Sequence, residues 1–355
     1  MPHKRLFIPG PTEVRPENLL ALARPQIGHR SEEFKVLYGR VIARLKRLLE
    51  TEGTIFLFTC SSTGVWEAAI RNCVAKRVLC CMQGAFSDRW LKVAEANAKQ
   101  ADPLRVPWGR AITAEMVDGA LASGNYDALT LVHNETSTGV MNQLGEIARV
   151  MKKYPDVTFL VDAVSSMSGV RIPVDEHRID VCLAGLQKAF ALPAGLTIAT
   201  VSKRALDKAR SVEHRGYYFD FLEMQKYHER GQTPATPAIP QIHALDAQLD
   251  DILAEGAENR YARHAMMAQI VRDWAREHFA VFAQEGFESE TLTCVTNTRG
   301  ISVGDLNKEL GRLSAAISNG YGDLKEKTFR IAHMGDTSEW EIRGLLATID
   351  RILGL

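Results

Sequence analysis

Leu160-Val161-Asp162-Ala163-Val164 and Leu183-Ala184-Gly185-Leu186-Gln187-Lys188 are the stretches on which the fold turns. Each is an apolar run that ends on one charged group. Phe159-Leu160-Val161 precedes Asp162, and Val181-Cys182-Leu183 precedes a turn that reaches Lys188. Such runs are central strands of a parallel sheet buried on both faces. Open sheets of that class bind ligands at the carboxyl ends of their strands. A carboxylate and an amine delivered there suit pyridoxal phosphate (PLP) chemistry, in which a lysine bonds the cofactor and an acid pairs with the protonated pyridine nitrogen. An Asp and a Lys also end strands in many proteins without such a role, so the surrounding residues decide.

Outward from these runs, short apolar segments alternate with amphipathic ones from about Arg40 to Val201. The pattern predicts strands over Ile55–Thr59, Val78–Met82, Leu129–His133, Val157–Asp162, Val181–Ala184 and Leu196–Val201. It predicts helices over Val65–Ala75, Asp88–Gln100, Ala114–Ala122 and Leu144–Lys153. This is an α/β fold with a mainly parallel central sheet and helices on both faces. Residues 211–240 read as loops. Helices then follow over about Ala238–Leu253 and Glu258–Glu277. From about Ala280 the order is strand (Thr291–Thr296), helix (Gly304–Arg312), strand (Thr328–Ala332) and helix (Glu339–Ile352), a smaller C-terminal α/β unit. The expected division is residues 1–15 joining the small domain, 16–255 as the large domain and 256–355 as the small one. Pro9-Gly10-Pro11 excludes regular helix from the first segment.

The 355 residues carry 43 Lys+Arg and 43 Asp+Glu, so the formal net charge is zero and nothing points to a nucleic-acid partner. Cys60, Cys73, Cys80, Cys81, Cys182 and Cys294 form no CxxC pair, and most lie in apolar runs. They read as reduced core thiols of a cytoplasmic protein, with no metal site expected. No signal peptide or apolar run long enough for a membrane span is visible.

Thr59-Cys60-Ser61-Ser62-Thr63-Gly64 follows a strand and opens a helix. Free backbone N–H groups and the helix dipole favour an anion there, and the hydroxyls add donors. Ordinary N-capping is the alternative. Phe86, just after the second strand, is placed either to stack on a planar cofactor or to pack in the core. Asn134-Glu135-Thr136-Ser137-Thr138-Gly139 follows the Leu129–His133 strand, where its hydroxyls reach a cofactor's phenolic oxygen or cap the next helix.

Joined to Pro9-Gly10-Pro11-Thr12, Thr233-Pro234-Ala235-Thr236-Pro237 and Phe329-Arg330-Ile331-Ala332-His333-Met334-Gly335, these motifs occur in the order seen in class V aminotransferases. The chain resembles the alanine–glyoxylate, serine–glyoxylate and serine–pyruvate branch along essentially its whole length. The resemblance implies a PLP-dependent transferase of fold type I, a homodimer with shared active sites. It implies amino-group transfer from serine or alanine to glyoxylate or pyruvate. It makes Lys188 the Schiff-base lysine and Asp162 the pyridinium partner. Phe86 falls on the ring-stacking position, where relatives often have Trp. Ser61, Ser62, Thr63 and Gln187 fall on phosphate contacts, and Ser137 near the ring oxygen. Thr233 and Thr236 fall on the segment that reaches the neighbouring subunit's cofactor phosphate, although relatives often have Tyr in place of Thr233. Ser62 replaces a common Gly. Arg330 falls on the substrate-carboxylate arginine, whose planar fork suits that group. Gly10 permits close backbone approach to the substrate. Two rivals follow from the same scaffold. One is a lyase or desulfurase, which usually has His before the lysine and a reactive Cys on a mobile loop, whereas here Gln187 precedes Lys188 and Cys294 lies in an apparent strand. The other is a non-catalytic PLP-fold partner subunit.

Overall fold

The computed structural model describes residues 3–355. Along the chain its strands are β1 (Arg5–Phe7), β2 (Thr54–Phe58), β3 (Arg77–Met82), β4 (Gln100–Arg105), β5 (Ala128–Val132), β6 (Asn134–Glu135), β7 (Val140–Met141), β8 (Thr158–Asp162), β9 (Val181–Gly185), β10 (Thr197–Val201), β11 (Ala280–Val281), β12 (Leu292–Thr296), β13 (Ala315–Asn319) and β14 (Thr328–Ala332). The helices are α1 (Pro16–Leu22), α2 (Glu32–Leu49), α3 (Ser62–Cys73), α4 (Ala85–Ala96), α5 (Ala114–Ala122), α6 (Leu144–Met151), α7 (Lys203–Ser211), α8 (Phe221–His228), α9 (Ile239–Glu255), α10 (Ala257–His278), α11 (Val303–Arg312) and α12 (Glu339–Leu353).

A seven-stranded sheet has the order β2-β10-β9-β8-β5-β3-β4. Every residue of β5, β8, β9 and β10 is buried, as expected for strands covered on both faces. One apolar cluster, with Phe34, Leu45, Ile55 and Phe159, fills one face. Another, with Phe56, Trp66, Trp90 and Phe221, fills the other. From β4 to β9 every pairing is parallel. β10 alone runs against its neighbours β9 and β2. The link from Gly185 to Thr197 is too short for the crossover that a parallel return needs. It therefore turns back directly, and Lys188 rides in that turn.

The second sheet has the order β1-β13-β14-β12-β11 and packs its own apolar cluster against α10, α11 and α12, with Val271, Phe329 and Ile342 among its members. β1 pairs with β13, which ties the chain's beginning to this sheet. β4 departs from the sequence reading. It is an exposed edge strand containing Pro103, a residue that edge strands tolerate. Within residues 211–240, read as loops, α8 forms on the Asp220 cap. α3 starts three residues before the expected Val65, which brings Ser62 and Thr63 into its first turn.

Candidate active site

β5, β8 and β9 end side by side, and their carboxyl ends open into a cavity of about 230 Å³. Ser61, Ser62, Thr63, Phe86, Asp162, Gln187 and Lys188 all line it. So do Asn134, Thr136 and Val164 from the stretches quoted above, and Trp66, Arg89 and Val132, which the sequence reading did not single out.

Asp162 closes β8 and is buried. The Trp66 indole donates to its Oδ2 at 2.8 Å, and the Val164 N–H donates to Oδ1 at 2.7 Å. Burial raises its carboxyl to about 7, against the pull of those two donors and of Lys188. Trp66 in turn stacks on Trp90, with centroids 5.7 Å apart. The Lys188 amine is held by the Pro9 carbonyl and lies 5.9 Å from the Phe86 ring centre. Burial lowers it to about 8, and the Arg330 charge acts in the same direction. A buried acid and a buried amine are each drawn toward neutrality, the usual signature of a site built for chemistry.

The opposite end of the cavity is a donor set. Ser61 is the N-cap of α3 without a side-chain capping bond; the Gly64 N–H turns back to the Ser61 carbonyl at 2.9 Å, and the Ser62 and Thr63 N–H groups are left to a ligand. Ser62 Oγ is buried with no hydrogen-bond partner. A Cβ at Gly185 would lie 2.6 Å from Ser62 Oγ and 2.5 Å from Gln187 Oε1, so glycine is what lets these side chains share the strand end. Anion donors, a stacking ring, an amine and a carboxylate fit a planar cofactor that bears a phosphate and a ring nitrogen.

Glu135 is the residue that sequence reasoning missed most plainly. It is fully buried and accepts from the N–H groups of Phe86 (3.4 Å), Ser87 (3.0 Å) and Ser137 (3.1 Å). It thus caps α4 from another segment and fixes the turn that presents Phe86. Ser137 donates its hydroxyl to Glu135 at 2.6 Å and accepts from the Ala85 N–H at 3.0 Å. Its side chain therefore belongs to this capping cluster, and Thr136 lines the cavity in its place.

Arg330, on β14, is largely buried, and burial lowers its pKa. Its guanidinium donates only to carbonyls among the described residues: Thr136 at 3.2 Å and Asn319 at 3.1 and 3.3 Å. A buried cation without an acidic partner is poised for an anionic ligand. Gly10 packs on the Lys188 side chain at a φ of +126°, and a Cβ there would lie 2.7 Å from Cδ and Cε. The neighbouring Thr12 anchors the segment by donating its hydroxyl to the Lys188 carbonyl at 2.8 Å.

Thr233 and Thr236 are not brought to this cavity. They line a separate hollow with Tyr217 and Tyr218, and Thr233 Oγ1 donates to the Ala235 carbonyl at 2.8 Å. Arg30 pins the loop by donating to the carbonyls of Thr233 (2.6 Å) and Pro234 (3.1 Å).

The sequence profile described as "Aminotransferase class-V" matches residues 18–322. The chain belongs to the class V aminotransferase family. An uncharacterized aminotransferase of Methanocaldococcus jannaschii is 38% identical over 99% of this chain and 92% of its own. The serine–glyoxylate aminotransferase of Methylorubrum extorquens is 33% identical over 96% of this chain and 89% of its own. The crystal structure of an alanine–glyoxylate aminotransferase from Nostoc sp. superposes with a TM-score of 0.94 at 26% identity, covering 99% of this chain and 96% of that one. This class V aminotransferase has PLP fold type I and transfers an amino group from an amino acid to an oxo acid. The desulfurase rival loses its nucleophile. Cys294 is buried on β12, its register partner is Arg330, and burial raises its thiol to about 11. Among the described residues no helix is long and apolar enough to cross a membrane, and no cluster of metal-binding side chains occurs.

Proposed function

We propose that this enzyme uses PLP to move the amino group of serine or alanine to glyoxylate or pyruvate. The observation that carries the reading is one cavity holding Lys188, Asp162, Phe86 and the uncapped start of α3. Ser61, Ser62, Thr63 and Gln187 hold the phosphate. Phe86 covers the ring, and Thr136 serves its phenolic oxygen from the position the sequence reading gave to Ser137. When bound, PLP supplies the electron sink for the substrate's α-carbon. Asp162, at the end of β8, would hold the proton on the cofactor's ring nitrogen, with its own carboxyl ionised by that pairing. The Lys188 amine, near its own titration at neutral pH, moves the proton at the α-carbon. Arg330 takes the substrate carboxylate, and Gly10 leaves it room. Residues 16–255 carry the cofactor, and residues 256–355, joined by 1–15, carry Arg330.

Thr233 and Thr236 lie outside the cavity that holds Lys188, which supports a homodimer in which this loop serves the partner's phosphate. Free thiols at all six cysteines accord with a cytoplasmic protein. A panel of amino acids tested for conversion of bound PLP to its amine form is the direct test. Serine or alanine converts the spectrum fastest. A protein that stays colourless with added PLP, or that no amino acid converts, overturns the reading.

A further inference from the structure

Tyr321 lies in the connection between β13 and β14, yet it reaches the large sheet. Its ring packs on Phe86, with centroids 5.3 Å apart. Arg89, on α4 beside Phe86, donates Nη2 to its hydroxyl at 2.8 Å and makes no other side-chain hydrogen bond among the described residues. The Arg89 guanidinium also sits 5.3 Å from the Phe86 ring centre. The Arg330 guanidinium lies 5.5 Å from the Tyr321 ring centre. One residue therefore touches the ring wall of the cavity, an arginine at its edge and the buried cation of the second sheet. Asn319, the last residue of β13 before that connection, offers the carbonyl that takes two of the Arg330 N–H groups.

We infer that Tyr321 is a positioning residue for the substrate carboxylate: latched by Arg89 and seated on Phe86, it sets the Arg330 guanidinium against the cofactor-bearing half of the site. The inference rests on the reading of Arg330 as the carboxylate arginine. Guanidinium groups stack on aromatic faces, and a bidentate fork is useful only when its plane is fixed. The Asn319 and Thr136 carbonyls hold the edge of the Arg330 guanidinium, and the Tyr321 ring supplies the contact to its face.

The test is a double-mutant cycle. Tyr321→Phe keeps both ring contacts and removes the acceptor, and Arg89→Met removes the donor. Each variant raises KM for alanine and for pyruvate about fivefold, the scale of the net contribution of one ordinary hydrogen bond, with kcat within about twofold. The calorimetric Kd of propionate, which has the carboxylate and no amino group, rises in step. The PLP absorption maximum stays in place. The double variant is no worse than the poorer single one, because both remove the same bond. Additive losses, a fall in kcat at constant KM, or an unchanged Kd for propionate overturn the inference. A wild-type protein whose cofactor no amino acid converts would instead defeat the transaminase reading, and the calorimetric arm still reports on Tyr321.

Discussion

Replacing Asp162 by asparagine removes a titration from the protein interior, and the pH dependence of stability reports it. Burial raises this carboxyl to about 7 in the cofactor-free fold, against 3.8 for an exposed aspartate. Between those values the unfolded chain has released the proton and the folded chain keeps it. This group's contribution is therefore fully present below about pH 4 and is lost as pH rises through about 7. The slope is about 1.36 kcal/mol per pH unit, so the loss between pH 5.5 and 7.5 is about 2 kcal/mol. The Asp162→Asn protein lacks that slope. It carries instead a pH-independent cost of about 1–3 kcal/mol, because its NH2 faces either the Trp66 indole or the Val164 N–H. Buried His133 and His333, lowered to about 4 and about 3, weaken the fold as pH falls below 6.5. They do so in both proteins and cancel in the difference. Urea unfolding of the two cofactor-free proteins at both pH values, at one protein concentration, gives the gap directly. The wild type's advantage at pH 5.5 shrinks by about 2 kcal/mol at pH 7.5. With PLP added, the wild type regains that advantage, since a ring-nitrogen proton meets the carboxylate. A gap that does not change with pH refutes the argument that burial controls this acid.

Arg330→Lys keeps the charge and loses the fork, so kcat/KM falls at least about tenfold for alanine, serine and glyoxylate alike, with PLP binding unchanged by fluorescence titration. A loss confined to one substrate would show that Arg330 reads a side chain. Gly10→Ala places a methyl 2.7 Å from two carbons of the Lys188 side chain at a positive φ. It lowers PLP occupancy at least about tenfold while circular dichroism stays native, and full occupancy counts against the close approach. Lys188→Ala mixed with Thr236→Ala yields heterodimers with one intact site if the loop crosses to the partner. Activity that stays at the sum of the two parents after subunit exchange removes the shared site.

The parts of this site that were readable in the chain are those whose placement is local. Phe159-Leu160-Val161 is buried on both faces, so it had to be a central strand, and Asp162 then had to emerge at its end. The same holds for Val181–Gly185 and the turn to Lys188. The reversal of β10 was also open to reading, because the link that precedes it is too short for a helical return. Apolar content alone does not report strand direction, and the mainly parallel sheet expected from the alternation holds with β10 as its antiparallel member. β4 was hidden because Gln100-Ala101-Asp102-Pro103-Leu104-Arg105 has no apolar face to reveal it.

Ser137, expected near the ring oxygen, bonds Glu135 and the Ala85 N–H, and Thr136 lines the cavity. Thr136, Ser137 and Thr138 are chemically alike, and which of these residues lines the cavity is set by the turn between β6 and β7. That turn is held by Glu135, which reaches away to the first turn of α4. A buried carboxylate bonded only to N–H and O–H groups leaves no charge pattern along the chain. Tyr321 is hidden more deeply still. Its partners Phe86 and Arg89 come from α4 and Arg330 from β14, and only the tertiary packing makes them neighbours. The cofactor end of the site is thus written in strand ends and one helix start. The Arg330 end depends on how β14 and the connection before it pack against α4, which no local pattern in the chain reports.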